Sequence, residues 1–189
     1  MISDNVIVDR FRRLSGAAVS IREVCEQACL AVVEEGSYRM AWVGRLNART
    51  REVEPIISWG HDEGYVEKLR VALDGTKRGI GPTGAALRER RPVVNRDFRT
   101  NIVCLPWRDE ALKRGYISSV ALPVIIGKQV WGTLNVYSGE PARFDPERVR
   151  VLTQVAAELA SALARVIDPE DLAPEPQPEA KASGALVAR

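Results

Sequence analysis

The sequence predicts an α+β domain in which antiparallel strands are bracketed by two long amphipathic helices. Three observations carry this prediction. Apolar residues recur at helical spacing near both ends of the chain. Two pairs of strand-like runs meet across short turns, and the stretch between those pairs breaks into short irregular pieces.

Residues 1–13 are a charged N-terminal segment without the apolar block of a signal peptide. Over 14–35, Leu14, Ala17, Ile21, Val24, Ala28 and Ala31 alternate steps of three and four, which predicts one helix, with Cys25, Cys29 and Val32 as a second stripe. YRMAWVGRL (38–46) and VEPIISW (53–59) flank the polar stretch NARTRE and predict a hairpin. Within 60–116, GHDEGYVEKLR predicts a short helix, RVAL a short strand, and PTGAALRERR a helix closed by Pro92. PVVN is a further strand, and PWRDEALKRG a helix ended by Gly115. Such crossing segments cap sheets and form binding loops. ISSVALPVII (117–126) and QVWGTLNVYS (129–138) flank Gly127-Lys128, a two-residue turn with glycine first. The last helix follows FDPE, where Asp145 caps, Pro146 suits the first turn and Glu147 complements the dipole. Its stripe is Val149, Leu152, Ala156, Leu159, Leu163 and Val166. Residues 169–189 are rich in Pro, Ala and Glu and read as a disordered tail, so the domain is expected over 14–168.

Composition narrows the function classes. Of 189 residues, 27 are Lys or Arg and 25 Asp or Glu, a net charge of +2 that gives no general pull toward nucleic acid or an anionic membrane. No apolar run approaches a membrane span in length. Cys25, Cys29 and Cys104 are odd in number and lack a CxxC pattern, which points to a reducing, cytoplasmic compartment. No Cys/His set completes a metal site, and the single histidine, His61, offers no triad.

GIGPTG (79–84) matches G-x-G-x-x-G, with Asp97 placed 18 residues after the first glycine. The required context is missing. Asp74–Arg78 separate the glycines from any strand, and the helix before Pro92 is short for a parallel crossover. The string reads instead as a turn that launches a helix, with Pro82 at its first position and Gly84 allowing close packing.

A regular pairing across Gly127-Lys128 sets Val124 against Trp131, Leu122 against Thr133, Val120 against Asn135 and Ser118 against Tyr137. These side chains would share one face, a mixed polar and aromatic one suited to a pocket floor. The other, with Ile125, Val130, Ala121, Leu134, Ser119 and Val136, is small and aliphatic.

The strings YRMAWVGRL, GPTGAALRERRPVVNRD, PWRDEALKRGYISSVALPV, VWGTLNVYS and FDPERVRVLTQVAAELASAL, in this order over about 38–166, resemble the GAF domains of bacterial signalling proteins. The resemblance implies an antiparallel sheet with long N- and C-terminal helices on one face, and loops and short helices forming a ligand pocket on the other. It also implies sensing or dimerisation in most members. The Asn-Lys-Phe-Asp-Glu set of the cyclic-nucleotide-binding members is not matched: Asn95-Arg96-Asp97-Phe98 lacks the Lys and the Asp-Glu arrangement. Arg88, Arg90, Arg91, Arg96 and Arg99 around Phe98 read as a solvated helix end and loop rather than an anion site. A bilin would be attached through a Cys followed by His, whereas Cys104 precedes Leu105. A haem would need an axial ligand such as His61, which lies in a polar turn. Neither cofactor is expected, and the cofactor is unknown. One enzymatic branch reduces free methionine sulfoxide with cysteines around its pocket. Here Cys25 and Cys29 stand one turn apart on a helix, and Cys104 alone lies in a pocket-side loop.

The expected function is a small-molecule-sensing regulatory module, without a catalytic residue, that dimerises through its terminal helices and acts on a signalling effector protein. The expected ligand-lining residues are Trp42, Asp97, Trp107, Tyr116, Ser118, Val120, Asn135 and Tyr137. The alternatives are a ligand-free scaffold, whose sheet face would be filled by its own side chains, and the sulfoxide reductase.

Overall fold

Alternation along three central strands divides the molecule into two apolar layers, one on each side of a five-stranded sheet. A computed structural model describes residues 6–73 and 79–168. The strands are β1 (Met40–Leu46), β2 (Val53–Gly60), β3 (Val93–Asn95), β4 (Ser118–Ile126) and β5 (Gln129–Ser138), in the order β2-β1-β5-β4-β3. All paired strands are antiparallel. Both expected hairpins form, and they join edge to edge through β1 and β5.

One face carries α1 (Val6–Ser15), α2 (Ile21–Gly36) and α6 (Pro146–Val166). Under them lies a core that includes Phe11, Val24, Cys29, Val43, Leu122, Leu134, Val136, Leu152 and Leu159. The other face carries α3 (Tyr65–Lys68), α4 (Pro82–Glu89) and α5 (Leu105–Lys113), with a short 3-10 turn over Ile102–Cys104. Met40, Trp42, Tyr65, Leu87, Phe98, Cys104, Tyr116 and Tyr137 form the core on this side.

Two expectations are corrected. The helix read over 14–35 is two helices, because Ser20 opens a new one: its Oγ accepts from Glu23 N at 3.3 Å, and Glu23 Oε2 accepts from Val19 N at 2.9 Å. The preceding α1 starts within the charged N-terminal segment and buries Ile7, Val8 and Phe11. The second correction concerns the β4–β5 register. Ile126↔Gln129 and Ile125↔Val130 follow the expected pairing, but Val124 then faces Gly132 and Trp131 is left as an extra residue. Beyond this bulge every partner is displaced by one: Leu122↔Leu134, Val120↔Val136, Ala121↔Asn135, Ser119↔Tyr137. Ser118, Val120, Leu122 and Val124 therefore leave the face of Asn135 and Tyr137, and Ser119 and Ala121 take their place. Trp131 itself packs into the helix-side core.

The expected start of α6 forms, with Asp145 Oδ1 accepting from Arg148 N at 2.8 Å and Pro146 in the first turn. GIGPTG launches α4, with Gly81 as the residue before the first helical position. A Cβ at Gly84 would strike the Gly79 backbone, with the carbonyl carbon only 2.8 Å away. RVAL contributes one bridge, Glu52↔Ala72. The tail expected over 169–189 lies outside the described residues.

Candidate functional site

A cavity opens between the sheet and the α3–α5 layer. The cavity proper is small, about 20 Å³, and continues into a mouth open to solvent. The floor comes from Ser119, Val120 and Ala121 of β4 and Asn135 and Tyr137 of β5. Tyr65 and Leu69 wall one side, Pro82, Thr83 and Gly84 of α4 another, and Phe98, Cys104 and Trp107 close the rest.

Asn135 is the polar centre of the floor. It is 2% exposed. Its Oδ1 accepts from the Thr83 hydroxyl at 2.8 Å, which ties the floor to the first turn of α4. Its Nδ2 is buried and has no hydrogen-bond partner. Thr133 Oγ1 donates to the Leu122 carbonyl at 3.2 Å and lies 3.5 Å from Asn135 Oδ1.

Aromatic rings pack tightly at the inner end. Tyr137 meets Tyr116 at 5.0 Å, Tyr65 at 5.6 Å and, stacked, Phe98 at 6.1 Å between centroids. The Tyr116 hydroxyl donates to the His61 carbonyl. Burial pushes the Tyr137 phenol up to about 12 and the Cys104 thiol up to about 11, so both groups are neutral near pH 7.

Arg114 locks the wall that carries Tyr65. It is 7% exposed and donates to the carbonyls of Asp62 at 2.9 Å, Glu63 at 2.8 Å and Glu110 at 2.9 Å, and to Glu110 Oε2 at 2.9 Å. Its guanidinium also lies 5.6 Å from the centre of the Tyr65 ring.

The eight residues expected to line a pocket are divided by the structure. Trp107, Asn135 and Tyr137 line the cavity, and Val120 borders it from β4 although the bulge turns its side chain into the helix-side core. Trp42 and Tyr116 pack in the same core without lining it, being 1% and 0% exposed. Ser118 stands apart, its Oγ donating to the Glu140 carbonyl at 2.6 Å, because the bulge moved it off the cavity face. Asp97 is also outside the lining: both of its oxygens bind Arg99, at 2.6–3.1 Å, and this pairing holds its carboxyl below the usual carboxylate range. Among the other arginines of that stretch, Arg88 donates to the Gly79 carbonyl, Arg90 to that of Lys128 at 2.8 Å, and Arg91 pairs with Glu89.

Sequence reasoning missed Tyr65, Leu69, Thr83, Phe98 and Ser119 as lining residues. Ser119 was hidden by the register, whereas Thr83 had a readable signal, since it follows the Gly-Pro that opens α4. Cys25 and Cys29 belong to the helix-side core and Cys104 to the cavity side, and all three are free and buried. Among the described residues, no group of three or more His, Cys, Asp or Glu could hold a metal ion, and no helix is long and apolar enough to cross a membrane.

A five-stranded antiparallel sheet with three helices on one face and short helices on the other defines an α+β architecture, and the family comparison places the chain within one family of it. The GAF domain model matches residues 18–164. The chain belongs to the GAF domain family. A search of curated proteins gives no match. Among solved structures, the chain is similar to the free methionine-R-sulfoxide reductase of Neisseria meningitidis in complex with its substrate, at 16% identity and a TM-score of 0.69, over 85% of this chain and 87% of that one. It is equally similar to the GAF domain of a phosphoenolpyruvate-protein phosphotransferase from Coxiella burnetii, at 16% identity and 0.69, over 86% and 95%. A chromophore-binding domain of a bacteriophytochrome from R. palustris matches at 14% identity and 0.62, over 89% of this chain and 62% of that one. At these identities the likeness is one of fold.

Proposed function

We propose that this chain is a small-molecule-sensing GAF module whose ligand sits in the cavity over β4 and β5. The observation that carries the reading is the cavity floor: it is open, and Asn135 offers it a buried amide N–H without a partner. Among the described residues Arg10 Nε, Trp42 Nε1, Asn95 Nδ2 and Trp131 Nε1 are buried without a partner as well, but Asn135 alone of these residues lines the cavity. Binding would favour one arrangement of the α3–α5 layer, and β5 would pass the difference to the helices behind it. An effector protein would read that helical layer. Native mass spectrometry of protein purified from its own host tests this. A co-purifying small molecule that is lost on Asn135→Asp supports sensing. Ligand-free protein from every growth condition favours the scaffold.

Dimerisation is a separate proposal. The apolar stripes that raised it are spent within the chain, against the sheet. A homodimer would use the outward faces of α1 and α6, which Arg12 and Glu158 already link within one chain. Sedimentation over a wide concentration range decides it, and a monomer throughout removes it.

One observation favours a second reading. Cys104 lines the cavity of a chain whose fold is shared with sulfoxide reductases. Thiol chemistry there would need a thiolate, which burial disfavours, and a second thiol, whereas Cys25 and Cys29 lie across the sheet. Turnover of free methionine sulfoxide that disappears in Cys104→Ser would replace sensing with catalysis.

A further inference from the structure

We propose that the cavity takes an uncharged, largely apolar or aromatic molecule that presents one carbonyl-type oxygen to Asn135. This rests on the sensing reading above and narrows it to a chemical class.

The floor calls for an acceptor. Asn135 Oδ1 is already engaged by Thr83, and the unpaired atom is the donor Nδ2. Leaving such a group buried and unmatched is costly, and an acceptor on the ligand would recover that cost. The Thr133 hydroxyl does not meet this need, because it lies on the Oδ1 side and its proton goes to the Leu122 carbonyl.

The first turn of α4 adds donors of the same polarity. Gly81 precedes the helix with no side-chain cap, and Thr83 and Gly84 line the cavity at its N-terminal end. The unpaired amide of β5 and the uncapped first turn of α4 thus border the same space.

The walls decide against a charged ligand. Among the described residues, none that lines the cavity is Asp, Glu, Lys, Arg or His; Tyr65, Leu69, Phe98 and Trp107 dominate. A carboxylate or phosphate would leave water for a site without a cation, and a helix N-terminus supplies only about half an elementary charge. A cation would meet donors. Apolar residues also stand exposed on the segments that bear the walls: Ile80 beside Gly81, and Ile102 and Leu105 on either side of the Cys104 turn.

Four probes of one shape and different polarity test the class: ethylbenzene, acetophenone, benzoate and benzylamine. Each is titrated into the whole chain while the side-chain amide signals of Asn135 and the backbone amide signals of the cavity residues Thr83, Gly84 and Tyr137 are followed by NMR. Acetophenone is expected to shift those signals and to bind about tenfold more tightly than ethylbenzene, as one recovered hydrogen bond implies. Asn135→Asp, which exchanges the donor for an acceptor, should erase that advantage in the backbone signals, and a cooperative urea-unfolding transition reports separately that the variant is folded. Benzoate or benzylamine binding as tightly as acetophenone overturns the inference and leaves the sensing reading standing. So does an acetophenone affinity that Asn135→Asp does not alter. If none of the four moves any cavity signal, this inference falls, and the sensing reading is decided separately by the native mass spectrometry above.

Discussion

Glu110 shows how a single side chain ties stability to pH. Hydrogen bonds from Lys113 and then Arg114 hold its carboxyl at about 2, below its ordinary 4.5. A carboxyl depressed on folding stabilises the native state above its unfolded value and loses that contribution as pH falls toward its folded one. The protein should therefore lose stability between about pH 4.5 and about pH 2. Glu110→Gln should flatten that part of a urea-unfolding pH series. Asp97 and Asp145, also lowered, should keep some slope in the variant. Gly84 is the converse case, a site defined by what is missing. Ala at this position would force α4 away from the Gly79 backbone, and overpacking of this kind costs about 1–3 kcal/mol, readable as a lower urea midpoint. Cys104 should stay unmodified by a thiol reagent near neutral pH in native protein and react on unfolding, because it is wholly buried and its thiol is pushed up to about 11. Asn135 and Tyr137 were legible as floor residues from strand alternation alone. Asp97 misled because its place in a motif says nothing about Arg99 two residues on, which takes both of its oxygens.

Among the elements, the most legible were those whose ends are written in local chemistry. Asp145-Pro146-Glu147 marks the start of α6, and the cap is used. Asp145→Ala should cost about 1 kcal/mol, with the loss appearing in chemical denaturation and in earlier hydrogen exchange of the first turn of α6. Ser20 and Glu23 hold the same kind of signal, S-x-x-E, yet the apolar stripe runs through it so evenly that two helices looked like one. The β4–β5 hairpin failed in a different way. Its turn was readable, and its first two pairs follow that turn; the bulge at Trp131 then displaces the remainder. Pro123 was the clue, since proline inside a strand favours an irregular or unpaired position. It lies beyond the reach of β3, which pairs only with Ser119–Ala121. Turn chemistry sets the register near the turn, but a bulge is a choice between two packings, and that choice depends on what lies above and below the sheet.

For the whole molecule the sheet is a partition with a core on each side. Leu134→Ala, at a fully buried position beneath the helices, should cost about 2–5 kcal/mol in a single unfolding transition. If the helical layer instead melted separately from the sheet, the cooperativity that signal transfer requires would be missing. Order and spacing of the elements showed strands bracketed by long helices from sequence, whereas the sorting of helices to one face and short elements to the other came from the family resemblance. The cavity wall was not legible, because Arg114 reaches it through the carbonyls of Asp62 and Glu63, some 50 residues earlier in the chain.

Along β5, Asn135 and Tyr137 face the cavity, while Leu134 and Val136 face the helices. Beyond the bulge, over residues 133–138, parity of residue number thus separates two kinds of heritable change. Under the sensing proposal, substitutions at the odd positions would alter what is recognised and leave the helical contacts intact. Those at the even positions would alter how the helices respond to an unchanged guest. A lineage built on this stretch could then exchange its ligand and keep its output, or retune its output and keep its ligand, one point mutation at a time.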